Sequence, residues 1–292
     1  MSAIIPEDGE VAFEPVKVLF ALHQGLDALD FIGPLEVLST ARHDPKDSGS
    51  RAFECTFASD DQSITANQGV DFRSNITFKE AHKRLAEFDV LIIPGGNTEF
   101  VLKNKLEPLS LVKAYAEIQM KNPSRERTLM SICTGSLFLA QAGVLAGLCA
   151  TTHPDSIVKL ENLCQSTAQR DLSERTDVME ERYVVNNLRF DLGEEDDNPY
   201  IRRRPDTGRR PSNARKGSFS FKQSNSRRES NARRANLKLG GLRVITSGGV
   251  TTGFDAALYL VSALVSYESA NEVARVMQYE WHKGVVVKGI DV

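Results

Sequence analysis

Short, continuously apolar runs recur along the 292-residue chain and alternate with segments of helical periodicity. The runs lie at residues 16–22, 88–93, 128–132 and 242–246, and residues 53–58 alternate in a way that indicates a further strand. Apolar runs of this length are typical of strands that are buried on both faces of a sheet. Helix-like segments lie at 106–120, 136–146, 156–164, 252–267 and 270–281, and parallel strands require crossover connections of this kind. The alternation predicts an α/β three-layer sandwich, in which helices cover both faces of a mostly parallel central sheet.

Three chemically distinctive features directly follow predicted strands. Asp30 comes after the first strand, Gly95 and Gly96 close the run at 88–93, and Cys133 ends the run at 128–132. Ligands of open α/β sheets bind outside the carboxyl ends of the strands. We therefore expect these residues to converge at one edge of the sheet.

The sequence around Cys133 predicts a nucleophile. A strand ends at Cys133-Thr134-Gly135, and a helix-periodic run begins at once. This strand-turn-helix context is the thiol counterpart of the nucleophile elbow. Because the N–H groups at a helix N-terminus carry partial positive charge, the position is expected to favour a thiolate. The alternative is a buried cysteine that serves as a small hydrophobic residue.

Composition narrows the class of protein. No apolar run reaches 18 residues, so no membrane span is predicted, and the N-terminus lacks the pattern of a secretory signal. The four cysteines show no metal-ligand spacing, and those other than Cys133 are expected to be inert: Cys55, Cys149 and Cys164. These features predict a cytoplasmic protein without a metal or cofactor, with residues 1–15 as an extension ahead of a domain at 16–292.

A strongly basic segment interrupts that domain. The net charge is −3, yet residues 201–238 hold 13 Lys or Arg against two acidic residues. Residues 193–236 are poor in apolar side chains, which predicts a disordered insertion. Basic pairs precede three serines in the pattern that basophilic kinases accept: Ser212, Ser218 and Ser230. A tolerated surface insertion and an unspliced stretch translated in a gene model are the alternatives. Aromatic residues are sparse there, so nucleic-acid binding is not expected.

Four ordered blocks carry a resemblance to a known family. They read LDFIGPLEVLSTA, FDVLIIPGG, SICTGSLFLAQAGVLAGLCATTHP and VITSGGVTTGFDAALYLV. The chain thereby resembles the ThiJ/PfpI superfamily from about residue 16 to 282, apart from the basic insertion. Its Asp-x-x-Gly-Pro block and Cys-Thr-Gly elbow are similar to the isonitrile hydratase branch. The resemblance implies a flavodoxin-like fold, a homodimer, and a cofactor-free hydro-lyase acting on a small molecule.

The resemblance also implies roles for the two principal residues. Cys133 attacks the terminal carbon of an isonitrile, a thioimidate forms, and water releases the N-substituted formamide. Asp30 moves the proton or activates the water, and a carboxyl group beside a thiolate should have a raised pKa because like charges resist joint ionisation. The alternative for Asp30 is to cap a helix that Gly33-Pro34 opens.

Further residues at the same edge carry implied supporting roles. Backbone N–H groups of Gly95 and Gly96 would stabilise negative charge on the adduct, although a tight turn also explains both glycines. Thr134 and Gly135 are expected to bind the adduct. Protease-like relatives carry a histidine base where this chain has Thr134, so a Cys–His mechanism is not expected. His153 is expected to line the pocket or to be structural rather than to act as the base.

Two other functions stay open at this point. One is a cofactor-free glyoxalase or deglycase acting on α-oxoaldehydes, whose members typically carry Glu or His where this chain has Asp30 and Thr134. The other is a non-enzymatic redox sensor in which Cys133 is oxidised to a sulfinate. Aromatic residues near the C-terminus are expected to be exposed and able to contribute to a dimer contact: Tyr267, Tyr279 and Trp281.

Overall fold

The computed structural model describes residues 14–186, 201–203 and 237–287. Its strands are β1 (Val16–Ala21), β2 (Phe53–Ala58), β3 (Ser63–Thr65), β4 (Asp71–Arg73), β5 (Val90–Ile93), β6 (Thr128–Ser131), β7 (Cys149–Ala150), β8 (Asp177–Val178), β9 (Tyr183–Asn186), β10 (Ile201–Arg203), β11 (Arg243–Ser247) and β12 (Gly284–Val286). Its α-helices are α1 (Ala28–Thr40), α2 (Phe78–Arg84), α3 (Thr98–Asn104), α4 (Leu109–Lys121), α5 (Ser136–Gln141), α6 (Ile157–Asp171), α7 (Thr252–Leu264) and α8 (Tyr267–Val276).

Eight strands form one central sheet in the order β10-β12-β9-β11-β6-β5-β1-β2. All its neighbouring pairs are parallel except β9 with β11. Two apolar clusters cover its two faces, one built with α1, α7 and α8 and the other with α2, α4, α5 and α6. Val18 and Phe20 join the first cluster, whereas Leu19 and Ala21 join the second. The three-layer α/β fold predicted from the continuous apolar runs is confirmed.

Helix α1 begins earlier than the sequence pattern suggests. Asp27 is its N-cap and accepts a hydrogen bond from the Leu29 N–H at 3.2 Å, so Asp30 lies in the first helical turn. Pro34, expected near the start, is inside the helix. A proline at this position has no N–H for the i−4 carbonyl, so the helix lacks one backbone hydrogen bond. The earlier cap therefore fixes where the helix starts, and Asp30 is not the capping residue.

The C-terminal aromatic residues also differ from expectation. The predicted last helix at 270–281 ends at Val276, and Trp281 lies beyond it with 6% of its surface exposed. Its ring packs 6.3 Å from that of Tyr267 and belongs to the same apolar cluster as α1 and α7. Trp281 is thus a core residue and not an exposed dimer contact. The homodimer itself stays a prediction.

The segment predicted to be a disordered insertion contains one described strand. Ile201–Arg203 forms β10, which pairs in parallel with β12 at the end of the central sheet. The backbone groups of an edge strand can pair with any extended segment, so composition alone does not exclude this strand. The three candidate phosphorylation sites lie outside the described residues: Ser212, Ser218 and Ser230. Among the helices described, none has the length and apolarity needed to span a bilayer.

Candidate active site

Backbone pairing between two loops creates the framework of the site. The loop after β1 and the loop after β5 form an antiparallel bridge between Leu26 and Gly96. The Asp27 N–H donates to the Gly95 carbonyl at 3.0 Å, and the Asn97 N–H donates to the Gly25 carbonyl at 2.8 Å. These bonds hold the first turn of α1 against the end of β5. The carboxyl group of the first turn is thereby fixed over the Gly95 backbone.

The Asp30 carboxyl group is fully buried at this point. Its Oδ2 accepts a hydrogen bond from the Gly95 N–H at 3.1 Å, while its Oδ1 accepts none from the described residues. Burial, together with the nearby negative charge of Asp27, raises the pKa of the Asp30 carboxyl group to about 7. A carboxyl group with this pKa can accept and release a proton near neutral pH.

Cys133 occupies a strained turn directly after β6. Its φ is +56°, in the left-handed region, and it opens the 3₁₀ turn Cys133–Gly135. Such a conformation costs a non-glycine residue about 1–3 kcal/mol and persists only where its surroundings hold it. Here the Cys133 carbonyl accepts hydrogen bonds from the hydroxyl groups of Ser136 at 3.2 Å and Thr152 at 3.1 Å. The strand-turn-helix elbow predicted from the sequence is confirmed.

Cys133 is 5% exposed, and its thiol interacts directly with the Asp30 carboxyl group. Burial, followed by the charge of Asp30, raises the pKa of this thiol to about 12. The Thr134 N–H acts in the opposite direction but is outweighed. The thiolate expected from the helix N-terminus alone is therefore not the resting state. At neutral pH the sulfur keeps its proton, and the adjacent carboxylate is the group that can remove it.

The two glycines after β5 position the site through bonds that their N–H groups already make. The Gly95 N–H is bonded to Asp30, and the Gly96 N–H donates to the Thr134 hydroxyl at 2.9 Å. A Cβ on Gly95 would lie 2.6 Å from Thr134 Oγ1 and 2.9 Å from Asp30 Oδ2. The oxyanion role expected for the two glycines needs unpaired N–H groups, whereas both N–H groups already have hydrogen-bond partners here. In the described residues, the Thr134 N–H is the backbone donor directed at the sulfur.

The remaining predicted residues differ in their relation to the sulfur. Gly135 lets the elbow approach β5, because a Cβ there would lie 2.4 Å from the Ile93 carbonyl oxygen. His153 accepts a hydrogen bond through Nδ1 from the Asp155 N–H at 3.2 Å and caps the 3₁₀ turn that follows. It makes no described hydrogen bond to Cys133 or Asp30. This arrangement agrees with a structural histidine.

Three supporting residues were not identified from the sequence, and His23, which follows the first strand, was expected by default to be exposed. Asp27 and Ser136 are close in sequence to the predicted pair, whereas Thr152 reaches Cys133 from the loop after β7. His23 is buried, lies 3.3 Å from the Pro94 carbonyl through Nε2, and has a pKa lowered by burial. Of these residues, Thr152 lies in the Thr-Thr-His-Pro block, which the sequence singled out. In the parts of the chain that the structure describes, no group of His, Cys, Asp and Glu side chains is arranged to hold a metal ion.

Comparison with known proteins agrees with this geometry. The model of the DJ-1/PfpI family matches residues 16–187, which include Asp30, both glycines and the cysteine elbow. The chain belongs to the DJ-1/PfpI family. Drosophila melanogaster DJ-1beta shares the fold at a TM-score of 0.53 and 16% identity, over 92% of this chain and 100% of that one.

Two curated members of the DJ-1/PfpI family are similar in sequence. Isonitrile hydratase of Pseudomonas putida is 28% identical over 138 residues, which are 47% of this chain and 52% of that protein. Deglycase PfpI of Pyrococcus furiosus is 27% identical over 138 residues, 47% of this chain and 72% of that protein. The chain thus spans about half the length of the first relative. These two relatives are enzymes of different kinds.

Proposed function

We propose that the protein hydrates an isonitrile to an N-substituted formamide, with Cys133 as nucleophile and Asp30 as proton carrier. The buried thiol–carboxyl pair is the observation that carries this proposal. A carboxyl group with a pKa of about 7 is matched to proton transfer at neutral pH. Thr134 directly follows the cysteine, where a histidine base would otherwise stand. The chemistry is therefore assigned to the carboxyl group.

The first step joins the sulfur to the isonitrile carbon. Ionised Asp30 takes the thiol proton as Cys133 Sγ bonds to the terminal carbon, and the carboxyl group then delivers this proton to the same carbon. The product is a thioimidate, R–N=CH–S–enzyme, in which the sulfur, the carbon and one proton have been joined without a change of overall charge. Because the thiol has a pKa of about 12, the reaction needs a base beside it.

The second step uses one water molecule. Asp30, ionised again after the first step, takes a proton from the water as the water oxygen bonds to the thioimidate carbon, and it passes this proton to the nitrogen. When the tetrahedral adduct collapses, its C–O bond becomes a carbonyl, the carbon–sulfur bond breaks, and Asp30 transfers the hydroxyl proton of the adduct to the departing sulfur. The overall reaction consumes R–NC and H₂O and yields R–NH–CHO. The thiol and the carboxylate return to their starting states.

The backbone supports these steps by fixing the two reacting groups. The Gly95 N–H holds one oxygen of Asp30, so the other oxygen is the one left for the water. The Thr134 N–H stabilises negative charge that develops on the sulfur as it leaves. Pre-positioned groups of this kind lower the barrier because they need no reorganisation during the reaction.

A deglycase acting on α-oxoaldehyde adducts is the second candidate. The relative from Pyrococcus furiosus, which is matched over a larger share of its own length, favours it. Asp30 in the first turn of α1 and Thr134 after the cysteine differ from the Glu or His typical of that branch.

The test is turnover of phenyl isonitrile by the purified full-length protein, with N-phenylformamide measured by chromatography. We expect product from the wild type, none from Cys133→Ala, and unchanged turnover from Cys55→Ala. Cys55 is the matched control because burial also raises the pKa of its thiol to about 12, without a contact to Asp30. Methylglyoxal and a methylglyoxal-modified cysteine adduct are assayed in parallel. Turnover of these alone would replace the hydratase proposal with the deglycase one.

A further inference from the structure

A cavity of about 540 Å³ lies between α1 and β2. Leu35 and Ser39 border it from the second half of α1, and Phe53 and Cys55 border it from β2. The site of Cys133 is at the carboxyl ends of the strands, whereas Phe53 begins β2. The cavity therefore belongs to the opposite half of the domain and shares no lining residue with the candidate active site.

Two arginines border this cavity and are held directly opposite each other. Arg42 and Arg51 are partners in an isolated antiparallel bridge. The bridge is reinforced by hydrogen bonds from the Ala52 N–H to the Ala41 carbonyl at 3.2 Å and from the His43 N–H to the Ser50 carbonyl at 2.8 Å. Like charges placed opposite each other across such a pair are destabilising. An anion between the two side chains would remove this repulsion.

The Arg42 guanidinium is fixed by backbone carbonyls rather than by a carboxylate. Its Nη1 donates to the carbonyls of Ser39 at 2.7 Å, Thr40 at 3.0 Å and Ala41 at 2.9 Å, and its Nε donates to that of Ser48 at 3.1 Å. Carbonyl groups at the end of α1 orient the cation but do not neutralise its full charge. Arg42 is therefore a pre-positioned cation at the border of the cavity.

The guanidinium of the second arginine has no described partner. The Arg51 side chain is exposed and makes no hydrogen bond or ion pair with any residue that the structure describes. Glu54 is the acidic residue that borders the cavity, and it forms no ion pair with Arg42 or Arg51 within the described part of the chain. Two arginines against one glutamate leave the border with a net positive charge. This balance favours an anionic ligand.

The rest of the lining is apolar. Pro15, Leu35 and Phe53 contribute hydrocarbon surface, and the Cys55 thiol is uncharged because burial raises its pKa to about 12. Cavities of about 300–1,000 Å³ accommodate organic ligands rather than single inorganic ions. Guanidinium groups bind carboxylate and phosphate oxygens through paired, charge-assisted hydrogen bonds. We propose that this cavity binds a small amphipathic anion, with its carboxylate or phosphate between Arg42 and Arg51 and its apolar body against Leu35 and Phe53.

Calorimetric titration of the full-length protein at low salt tests the proposal. The probes are octanoate and phenyl phosphate, each with a neutral counterpart, octanamide and phenol. We expect at least one anion to bind, and its counterpart to bind at least about tenfold more weakly, because the counterpart forms no charge-assisted bond. Binding by octanoate alone would assign a carboxylate ligand, and binding by phenyl phosphate alone would assign a phosphorylated one.

Variants locate the binding within the cavity. Arg51→Gln should raise the dissociation constant by about tenfold, and Arg51→Lys should retain part of the affinity that Arg51→Gln loses. Arg42→Gln/Arg51→Gln should abolish binding, whereas Arg175→Gln, which changes an exposed arginine outside the cavity, should leave it unchanged. Cys133→Ala should bind like the wild type, so this test does not depend on the proposed function. Equal affinity for the neutral counterpart, no binding of either anion, or wild-type binding by the double variant would overturn the proposal.

Discussion

Replacement of Asp30 by asparagine isolates the role of the carboxyl group. The substitution keeps the size of the side chain and an oxygen that can accept the Gly95 N–H, but it removes the base beside the thiol. Under the proposed mechanism, ionised Asp30 takes the proton of Cys133 during attack in the wild type, so kcat/KM should fall as the pH drops below about 7, the pKa of this carboxyl group. In the variant, attack must wait for the thiol to ionise by itself.

The size of the effect follows from the ionisation of the thiol. The ordinary pKa of a cysteine is 9.0, and burial, the largest cause of the rise at Cys133, persists in the variant. At most about 1% of the thiol is therefore ionised at pH 7. We expect kcat/KM of Asp30→Asn to be at least about 100-fold lower at pH 7, which corresponds to about 2.7 kcal/mol of lost transition-state stabilisation.

The dependence on pH distinguishes this explanation from simple damage to the site. Formamide production from phenyl isonitrile is measured for both proteins from pH 5 to pH 9. The rate of the variant should rise about tenfold for each pH unit between 7 and 9, while that of the wild type levels off, so the gap between them narrows. A variant within tenfold of the wild type at pH 7, or a gap that stays constant from pH 7 to 9, would refute the proposed base.

Three further expectations concern the surroundings of this carboxyl group. Folding raises the pKa of Asp30 above its ordinary 3.8, so the stability contributed by this carboxyl group is complete below pH 3.8 and is lost as the pH rises through about 7. Asp30→Asn should therefore be more stable than the wild type at pH 8, by up to about 4 kcal/mol in urea denaturation. At pH 4 the variant should have no such advantage. Asp27→Asn removes a charge that raises this pKa, so the acid limb of kcat/KM should move to lower pH with little change in the plateau; an unmoved limb would contradict this. Gly95→Ala should lower kcat/KM at least about tenfold, because the added Cβ would displace Asp30 and Thr134. Gly249→Ala, whose Cβ meets nothing within 4 Å, should leave kcat/KM unchanged. Equal activity of the two variants would count against the close packing of Asp30 and Thr134 on Gly95.

The fold could be predicted because its main determinant is local in the sequence. The apolar runs at 16–22 and 88–93 need both faces of a sheet covered, and only a few arrangements achieve this. The ends of the helices were harder to predict from the sequence. Gly33-Pro34 looked like a helix start, yet Asp27 caps α1 earlier. Trp281 looked like part of an amphipathic helix, but tertiary packing places it in the core.

The candidate site was only partly readable from the sequence. Cys133 stands directly after a strand and Asp30 in the helix that follows one, each within a recognisable motif, so they could be identified together. The protonation of the thiol could not, because it depends on how deeply the folded chain buries the sulfur and on the charge beside it. Likewise, Thr152 stabilises the strained elbow from a different loop. Contacts of this kind are set by the meeting of distant segments and have no local pattern.

The hydrogen bonds that assemble the site join residues far apart in the chain. The bond between Asp30 and Gly95 spans 65 residues, and the bond between Gly96 and Thr134 spans 38. Each closes a long loop, and the entropy cost of such closures is met only once the sheet between them has formed. If Asp30 is the base, as proposed, we expect chemical competence to come late in folding, because a partly folded chain carries the thiol without that base. Recovery of turnover during refolding would report the docking of the N-terminal strand and α1 onto β5, separately from the secondary structure that precedes it.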